Sequence, residues 1–349
     1  FEISERRRRT REHLSGEMVC ADDPSVTRAL PWTEKYRPVG LSEVVAHEAI
    51  TDVISKFADS GQLPHLLFHG PPGTGKTSTI LALAKELYGL NLSNMVLELN
   101  ASDARGINVV RDEIQSFAST MRPFSTTFKL VIMDECDSMT KDAQFALRRI
   151  MEKYTQHTRF CLICNYASKV IPALQSRCTK FRFSPIASGD MLQRLRHIVN
   201  SENFSISDNS LATIQKLGEG DMRKTVNILQ SVSLSASAVT DDAIHLITGH
   251  IGQLQVDELL QVLLNQPPKG TFEHFNRLKC TQNFALVDII KPISESLLTL
   301  HMAAGIRARL LRGLSDIEYS LSFACSEKSQ ALYLISLFYQ VRFEMMRHS

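Results

Sequence analysis

Gly70-Pro-Pro-Gly-Thr-Gly-Lys-Thr77 has the GxxxxGK[ST] spacing of a phosphate-binding loop. Gly73 and Gly75 free the backbone to turn N–H groups toward an anion at a helix start. Lys76 adds a point charge for β- and γ-phosphates, and the Thr77 hydroxyl can ligate Mg²⁺. The apolar run Leu66–Phe68 precedes the loop and a helix-forming stretch, Thr77–Leu87, follows it, which is the context the motif requires.

A second acidic element, Lys129-Leu-Val-Ile-Met-Asp-Glu135, ends four apolar residues in two carboxylates. A buried strand delivers both at its C-terminal end, where Asp134 is suited to hold Mg²⁺ through its water shell and Glu135 to orient or deprotonate a water. Arg159-Phe-Cys-Leu-Ile-Cys-Asn165 is another apolar strand, closed by an amide. If the two strands are neighbours, Asn165 sits beside the acids and can position a lytic water. An ordinary chain-turning Asn fits equally well.

These residues need a framework, and the sequence from Leu30 to about Pro185 alternates short apolar strands with helical segments. The strands Leu66–Phe68, Val96–Leu99 and Leu130–Met133 interleave with helices near 77–87 and 109–117, which predicts a parallel sheet covered on both faces. Past Pro185 the strand signal stops. Met191, Leu195, Ile198 and Val199 share one helical face, and Asp208 is placed to cap a helix before Leu211. Beyond residue 250 the pattern is helical throughout, apart from the breaker Gln266–Gly270. Leu310, Leu314, Ile317 and Leu321 form one stripe; Leu334, Leu337, Phe338, Val341 and Met345 form another. Such stripes pack inside their own domain or against another subunit. The expected divisions are an N-terminal extension at 1–28, a nucleotide domain at 29–185, a helical lid at 186–249 and a helical C-terminal domain at 250–349.

Composition limits the function classes. The chain has 349 residues, 44% of them hydrophobic and 22% charged, with a net charge of +2, so any anionic partner must be met by local patches. No apolar run approaches the ~18 residues of a membrane span. The seven cysteines, an odd number, fit a reducing compartment. Cys161 and Cys164 have CxxC spacing without a second pair, which argues against zinc. Residues 1–28 lack periodicity and carry Arg6–Arg9 and Arg11, consistent with an unfolded extension or with a nuclear-import or nucleic-acid tail.

With these elements in place, the chain resembles the AAA+ ATPases and, among them, the small subunits of replication factor C. The resemblance rests on Trp32-Thr-Glu-Lys-Tyr-Arg-Pro38, Asn100-Ala-Ser-Asp103, Ser176-Arg-Cys178 and Gly220-Asp-Met-Arg223. The runs Met95–Asp103 and Phe160–Tyr166 are most similar to the branch numbered three in fungi and five in animals. The resemblance implies an α/β AAA+ domain with an all-α lid and an all-α C-terminal collar. It further implies ATP hydrolysis at shared interfaces within a heteropentamer that loads the sliding clamp (PCNA) onto primer-template DNA in the nucleus.

By the same resemblance Tyr36, Arg37, Pro38 and Val45 line an adenine pocket, and Gly70, Pro71, Pro72, Gly73, Thr74, Gly75, Lys76, Thr77 and Ser78 hold the phosphates. Asn165 is the sensor 1 residue, Arg223 the sensor 2 arginine, and Asn100 an amide that holds Glu135 from water in the idle state. Arg177 becomes an arginine finger acting in trans, although its type alone is equally that of a surface ion pair. Arg105, Arg111 and Lys169 take positions that track DNA phosphates, with solvated surface charge as the alternative; Arg148 and Arg149, on the 142–152 helix, would relay DNA contact toward Glu135. Cys136 stands where the family has alanine, and Ala104 where it has an acid. A stand-alone P-loop kinase and a non-hydrolysing scaffold compete with this reading. The former leaves Arg177 and the last hundred residues unexplained; Lys76, Thr77, Asp134 and Glu135 argue against the latter.

Overall fold

The computed structural model describes residues 30–44, 46–102, 106–120, 128–235, 240–282, 284–323 and 325–348. The expected extension at 1–28 lies outside them. The chain packs as two compact units, one running to Ser205 and including Ile214–Gln230, the other formed by Ile206–Thr213 and the chain from Ser231 onward.

In the first unit, β1 (Leu66–His69), β2 (Val96–Asn100), β3 (Lys129–Asp134), β4 (Thr158–Cys164) and β5 (Thr179–Arg182) form one sheet in the spatial order β2-β3-β4-β1-β5. Every pairing is parallel. The accompanying helices are α1 (Glu48–Asp59), α2 (Lys76–Tyr88), α3 (Gly106–Ser119) and α4 (Lys141–Tyr154).

Strands β1, β3 and β4 are buried almost residue by residue, which is why they read as unbroken apolar runs. Successive side chains point to opposite faces. Leu66, Phe68, Leu130, Ile132, Cys161 and Ile163 pack with Ile80 and Leu83 of α2. Leu67, Val131, Met133, Phe160, Leu162 and Cys164 pack with Ile114 of α3 and Leu147 of α4. Truncating one of these aliphatic side chains to alanine costs about 2–5 kcal/mol. Cys161 and Cys164 therefore belong to different cores, and their spacing along a strand does not direct both sulfurs at one ligand.

The sequence did not single out β5. Its Thr-Lys-Phe-Arg is largely exposed at the sheet edge and is defined by its register with β1, Leu66↔Thr179 to His69↔Arg182. The strand ends are aligned, with Asn100 opposite Asp134 and His69 opposite Cys164. The phosphate loop after β1 and the acids after β3 thus emerge at the same edge, the usual ligand side of an open parallel sheet.

After β5 the chain forms α5 (Ser188–Ser201), α6 (Asp208–Gly218), α7 (Met222–Ser233) and α8 (Asp241–Thr248). Met191, Leu195, Ile198 and Val199 are buried together on α5, in keeping with their spacing. The cap of α6 differs from expectation: Ser207 Oγ accepts from the Ser210 N–H at 3.1 Å, and Asp208 is the first helical residue. Both placements suit a helix start, since a hydroxyl satisfies a free N–H and a carboxylate complements the dipole.

The second unit, which takes in α8 and the start of α6, continues with α9 (Gln253–Asn265), α10 (Pro268–Gln282), α11 (Leu286–Thr299), α12 (Ala304–Leu321) and α13 (Glu327–His348). The Gln266–Gly270 breaker divides α9 from α10, with Pro268 at the first helical position. Leu310, Leu314 and Ile317 are buried in this unit's own core with Leu334, Leu337, Phe338 and Val341, and Leu321 packs against it. The side chain of Met345 lies outside the described residues. A Cβ on Gly313 would stand 2.2 Å from Leu337 Cδ2, so α12 and α13 approach most closely where a side chain is missing.

Candidate functional site

The phosphate loop gets its shape from backbone conformations that glycine accepts. Gly73 has φ +66°, and Gly75, at φ +91°, is the left-handed residue from which α2 starts. Gly73 also makes room for a neighbour, because a Cβ there would lie 1.6 Å from Asp221 Oδ1. Asp221 in turn accepts from the N–H groups of Arg223 at 2.8 Å and Lys224 at 3.1 Å, while the Met222 N–H donates to the Gly73 carbonyl at 3.2 Å. The start of α7 is thereby stitched to the loop.

Lys76 is buried, and its Nζ donates to the carbonyls of Gly70 and Pro71, each at 2.8 Å, and to Asn165 Oδ1 at 3.2 Å. Burial lowers its pKa, an effect opposed by the charge of Asp134 and assisted by that of Arg223. Thr77 Oγ1 donates to Asp134 Oδ2 at 2.8 Å. The other oxygen of Asp134 accepts from the Glu135 N–H at 2.8 Å. Glu135 itself adopts φ +53°, breaks the strand direction and leaves its side chain exposed.

These residues line a cavity of about 370 Å³ that takes in Pro72–Ser78, Asn100, Asp134, Glu135, Asn165 and Arg223. Gly70 and Pro71, at the start of the loop, orient Lys76 through their carbonyls. Asn100 reaches the cavity, and its Oδ1 accepts from the Ser102 N–H at 3.0 Å and from Ser102 Oγ at 2.9 Å.

The same cavity is lined by Trp32, Tyr36, Arg37 and Pro38. Lys35 Nζ and Tyr36 Oη both donate to Glu202 Oε1 at 2.6 Å, Arg194 Nη2 donates to the Tyr36 carbonyl at 2.8 Å, and the Trp32 N–H donates to Gln230 Oε1 at 3.1 Å. The wall is completed by Val44, Ala46, Ile186, Arg194, Ile198, Met222 and Val226, none of which the sequence reading had assigned. Of these only Ile198 and Val226 sit on the apolar face of a helix, a signal that serves a core equally well, while Val44, Ala46 and Ile186 lie in connecting segments. Val45 lies outside the described residues.

Arg177 is not in this cavity. It follows the helical turn Pro172–Gln175, donates through Nη1 to the Ala173 carbonyl at 2.7 Å, and pairs through Nη2 with Glu152 on α4. Lys169 is exposed, with Nζ 5.0 Å from the centre of the Tyr166 ring. Arg105 lies outside the described residues, as does the side chain of Arg111, which belongs to α3. Arg148 pairs with Glu152, and Arg149 is exposed on the same helix.

The donor set fits a nucleotide triphosphate with a hard divalent cation. A glycine-shaped loop presents one lysine, bonded to Asn165, and a threonine hydroxyl, bonded to a carboxylate, to one cavity that Trp32, Tyr36 and Pro38 also line. Among the described residues no helix is long and apolar enough to cross a membrane.

Comparison with known proteins agrees with this geometry. Residues 66–186 match the family model of the ATPase family associated with various cellular activities (AAA), and residues 252–336 match the replication factor C C-terminal domain. The chain is 48% identical over 323 residues to replication factor C subunit 3 of Oryza sativa subsp. japonica, spanning 91% of this chain and 89% of that protein. It is 47% identical over 324 residues to replication factor C subunit 5 of Homo sapiens, spanning 92% and 95%, and 44% identical over 307 residues to replication factor C subunit 3 of Schizosaccharomyces pombe, spanning 88% and 90%. Among solved structures, the RuvB Holliday junction branch migration motor of Thermotoga maritima superposes with a TM-score of 0.51 at 16% identity, covering 77% of this chain and 93% of that one, a likeness of fold. A stand-alone kinase is not favoured by any of these relatives. An AAA+ sheet bearing an intact phosphate loop and acidic pair, joined to a helical C-terminal region and nearly half identical to these subunits along nine-tenths of its length, makes the chain an ATPase of the replication factor C small-subunit family, in the branch named subunit 3 and subunit 5.

Proposed function

We propose that the chain is one ATPase subunit of a heteropentameric clamp loader, which opens the sliding clamp (PCNA) and loads it onto primer-template DNA in the nucleus. The observation that carries the reading is the convergence of Thr77, Asp134, Lys76 and Asn165 at one end of a nucleotide-sized cavity while Arg177 stands outside it. Such a site binds ATP from its own residues and lacks in cis the stimulating arginine that ring ATPases take from a neighbour.

In this reading Tyr36, Arg37 and Pro38 embrace the base and Lys76 meets the β- and γ-phosphates. Thr77 and Asp134 are the residues that would hold Mg²⁺, which supplies charge neutralisation at the phosphate oxygens. Glu135 accepts a proton from the attacking water, Asn165 orients that water, and Arg223 contributes charge from the start of α7. Asn100 restrains Glu135 between turnovers. Arg177 stabilises charge on the phosphates of the adjacent subunit. Arg105, Arg111 and Lys169 meet DNA phosphates. The functional divisions are an extension at 1–28, a nucleotide domain at 29–185, a lid at 186–249 and a collar at 250–349.

The deciding experiment is co-purification with four related ATPase subunits, followed by measurement of ATP hydrolysis with and without primer-template DNA and clamp. Stimulation in the assembled complex is expected, together with near-silence of the isolated chain. Rapid hydrolysis by a verified monomer would sink the shared-site reading.

A further inference from the structure

Arg177 has two tethers of different character. Nη1 donates to the Ala173 carbonyl one turn back at 2.7 Å, whereas Nη2 reaches across to Glu152. The same carboxylate oxygen, Glu152 Oε1, also accepts from Arg148 Nε at 3.1 Å, one turn earlier on α4. Two guanidinium groups thus share one oxygen. The relation between the two segments is firm, since Gln144 of α4 donates to the Lys169 carbonyl at 3.1 Å and accepts from the Ile171 N–H at 2.8 Å, just ahead of the turn that carries Arg177.

We propose that Glu152 is a positioning residue for the trans-acting arginine: it parks Arg177 on its own subunit and thereby restrains hydrolysis in the neighbouring site until that site competes for the guanidinium. The proposal rests on the reading of Arg177 as the residue that serves the neighbour.

Three features support parking over permanent anchoring. The pair is in contact with water, with side-chain exposures of 33% for Arg177 and 42% for Glu152, so it is screened and easily released. Release strands no charge, because Arg148 stays on the carboxylate. Finally, the backbone tether through Nη1 holds the stem while Nη2 is the arm given up, and a guanidinium arm so released suits a phosphate oxygen. The bond from Arg148, and then the charge of both arginines, holds the Glu152 carboxyl below the ordinary carboxylate range, so it is ionised when the pair must form.

The test uses the assembled complex with only the neighbour's ATP site competent, assayed without DNA. Glu152→Gln keeps the side-chain shape and removes the charge; it is expected to raise kcat at the neighbour's site about two- to fivefold, the range a surface ion pair supplies, with KM for ATP unchanged. Glu152→Asp, which restores the charge, should bring the rate back toward wild type, and the double variant Arg177→Ala/Glu152→Gln should match Arg177→Ala alone. A merely structural Glu152 predicts a lower rate or a shifted KM. If Arg177→Ala leaves the neighbour's rate intact, the trans reading itself fails. If Arg177→Ala abolishes it while Glu152→Gln leaves it unchanged or lowers it, the parking role alone is overturned.

Discussion

Thr77 Oγ1 donates to Asp134 Oδ2 at 2.8 Å, joining the first turn of the helix after the phosphate loop to the end of the strand that carries the acids. The bond matters because it brings together, before any cation arrives, the two oxygens proposed to hold one. Preformed donors avoid the ordering cost that flexible ones incur on binding.

Asp134→Asn keeps the acceptor for Thr77 and removes the charge. It is expected to weaken apparent magnesium affinity about 10- to 100-fold, the scale of residues that hold a metal through its water shell, while nucleotide binding without metal changes little. A magnesium titration of ATPase activity in the assembled complex checks this; an unaltered midpoint would remove Asp134 from the metal site.

Glu135 is exposed at a left-handed turn, and it bonds Asp134 through its backbone N–H rather than through its side chain. Glu135→Gln should retain ATP and lose about 10²- to 10⁴-fold in turnover, the usual contribution of a general base. The paired measurements are nucleotide affinity and single-turnover rate, and a variant that loses affinity instead would assign Glu135 to binding.

Glu202 receives both Lys35 Nζ and Tyr36 Oη at 2.6 Å, holding the segment proposed to embrace the base to the end of α5. Glu202→Ala frees that segment and is expected to raise KM for ATP about two- to tenfold with little effect on kcat, since hydrogen bonds of this kind are worth about 0.5–1.5 kcal/mol. Tyr36→Phe, which removes one of the two bonds, should show a smaller shift in the same direction.

His65 is buried at the base of β1, where Nδ1 accepts from the Phe160 N–H at 3.2 Å. Burial, aided by the charge of Arg159, pushes its pKa down to about 4. The unfolded chain therefore binds this proton more readily than the folded one between about pH 6.5 and 4, and stability present above pH 6.5 is lost as pH falls through that window. The loss is at most about 3 kcal/mol. Chemical denaturation at several pH values should show this slope, and His65→Asn, whose side-chain oxygen can replace Nδ1 as acceptor, should flatten it.

Lys169 sits over the Tyr166 ring with its ammonium exposed. Lys169→Ala is expected to weaken DNA binding by the assembled complex uniformly across sequences and to reduce the log–log salt slope by up to ~0.9, the signature of one lost phosphate contact. Unchanged affinity and slope would leave Lys169 a solvated charge.

How much of this could be read in advance depended on how local each signal was. The phosphate loop and the acidic pair announce themselves within eight residues because their chemistry demands fixed types at fixed spacing. The buried strands were equally legible, since a strand covered on both faces has no polar positions to interrupt it. β5 was not, because its Thr-Lys-Phe-Arg is defined by a partner more than a hundred residues earlier rather than by its own pattern. The cavity wall near Tyr36 was missed in part for the same reason: Arg194 and Ile198 on α5, and the grip of Glu202 on Lys35 across 167 residues, exist only once the chain has folded. A helix cap one residue from its expected position, at Ser207, reflects two adjacent residues that both suit a helix start.

The cysteines of the sheet have a practical use. Cys136, directly after Glu135, and Cys161 and Cys164 in β4 are buried, and burial raises the pKa of each thiol, leaving little thiolate at neutral pH. A thiol-labelling reagent reaches them only when the strands part, whereas the exposed Cys280 and Cys325 react at once. The slow phase of labelling is thus a built-in clock for transient opening of the sheet around Asp134 and Glu135. Slowing of that clock by nucleotide would report, without any introduced probe, how strongly ATP closes the strand ends together.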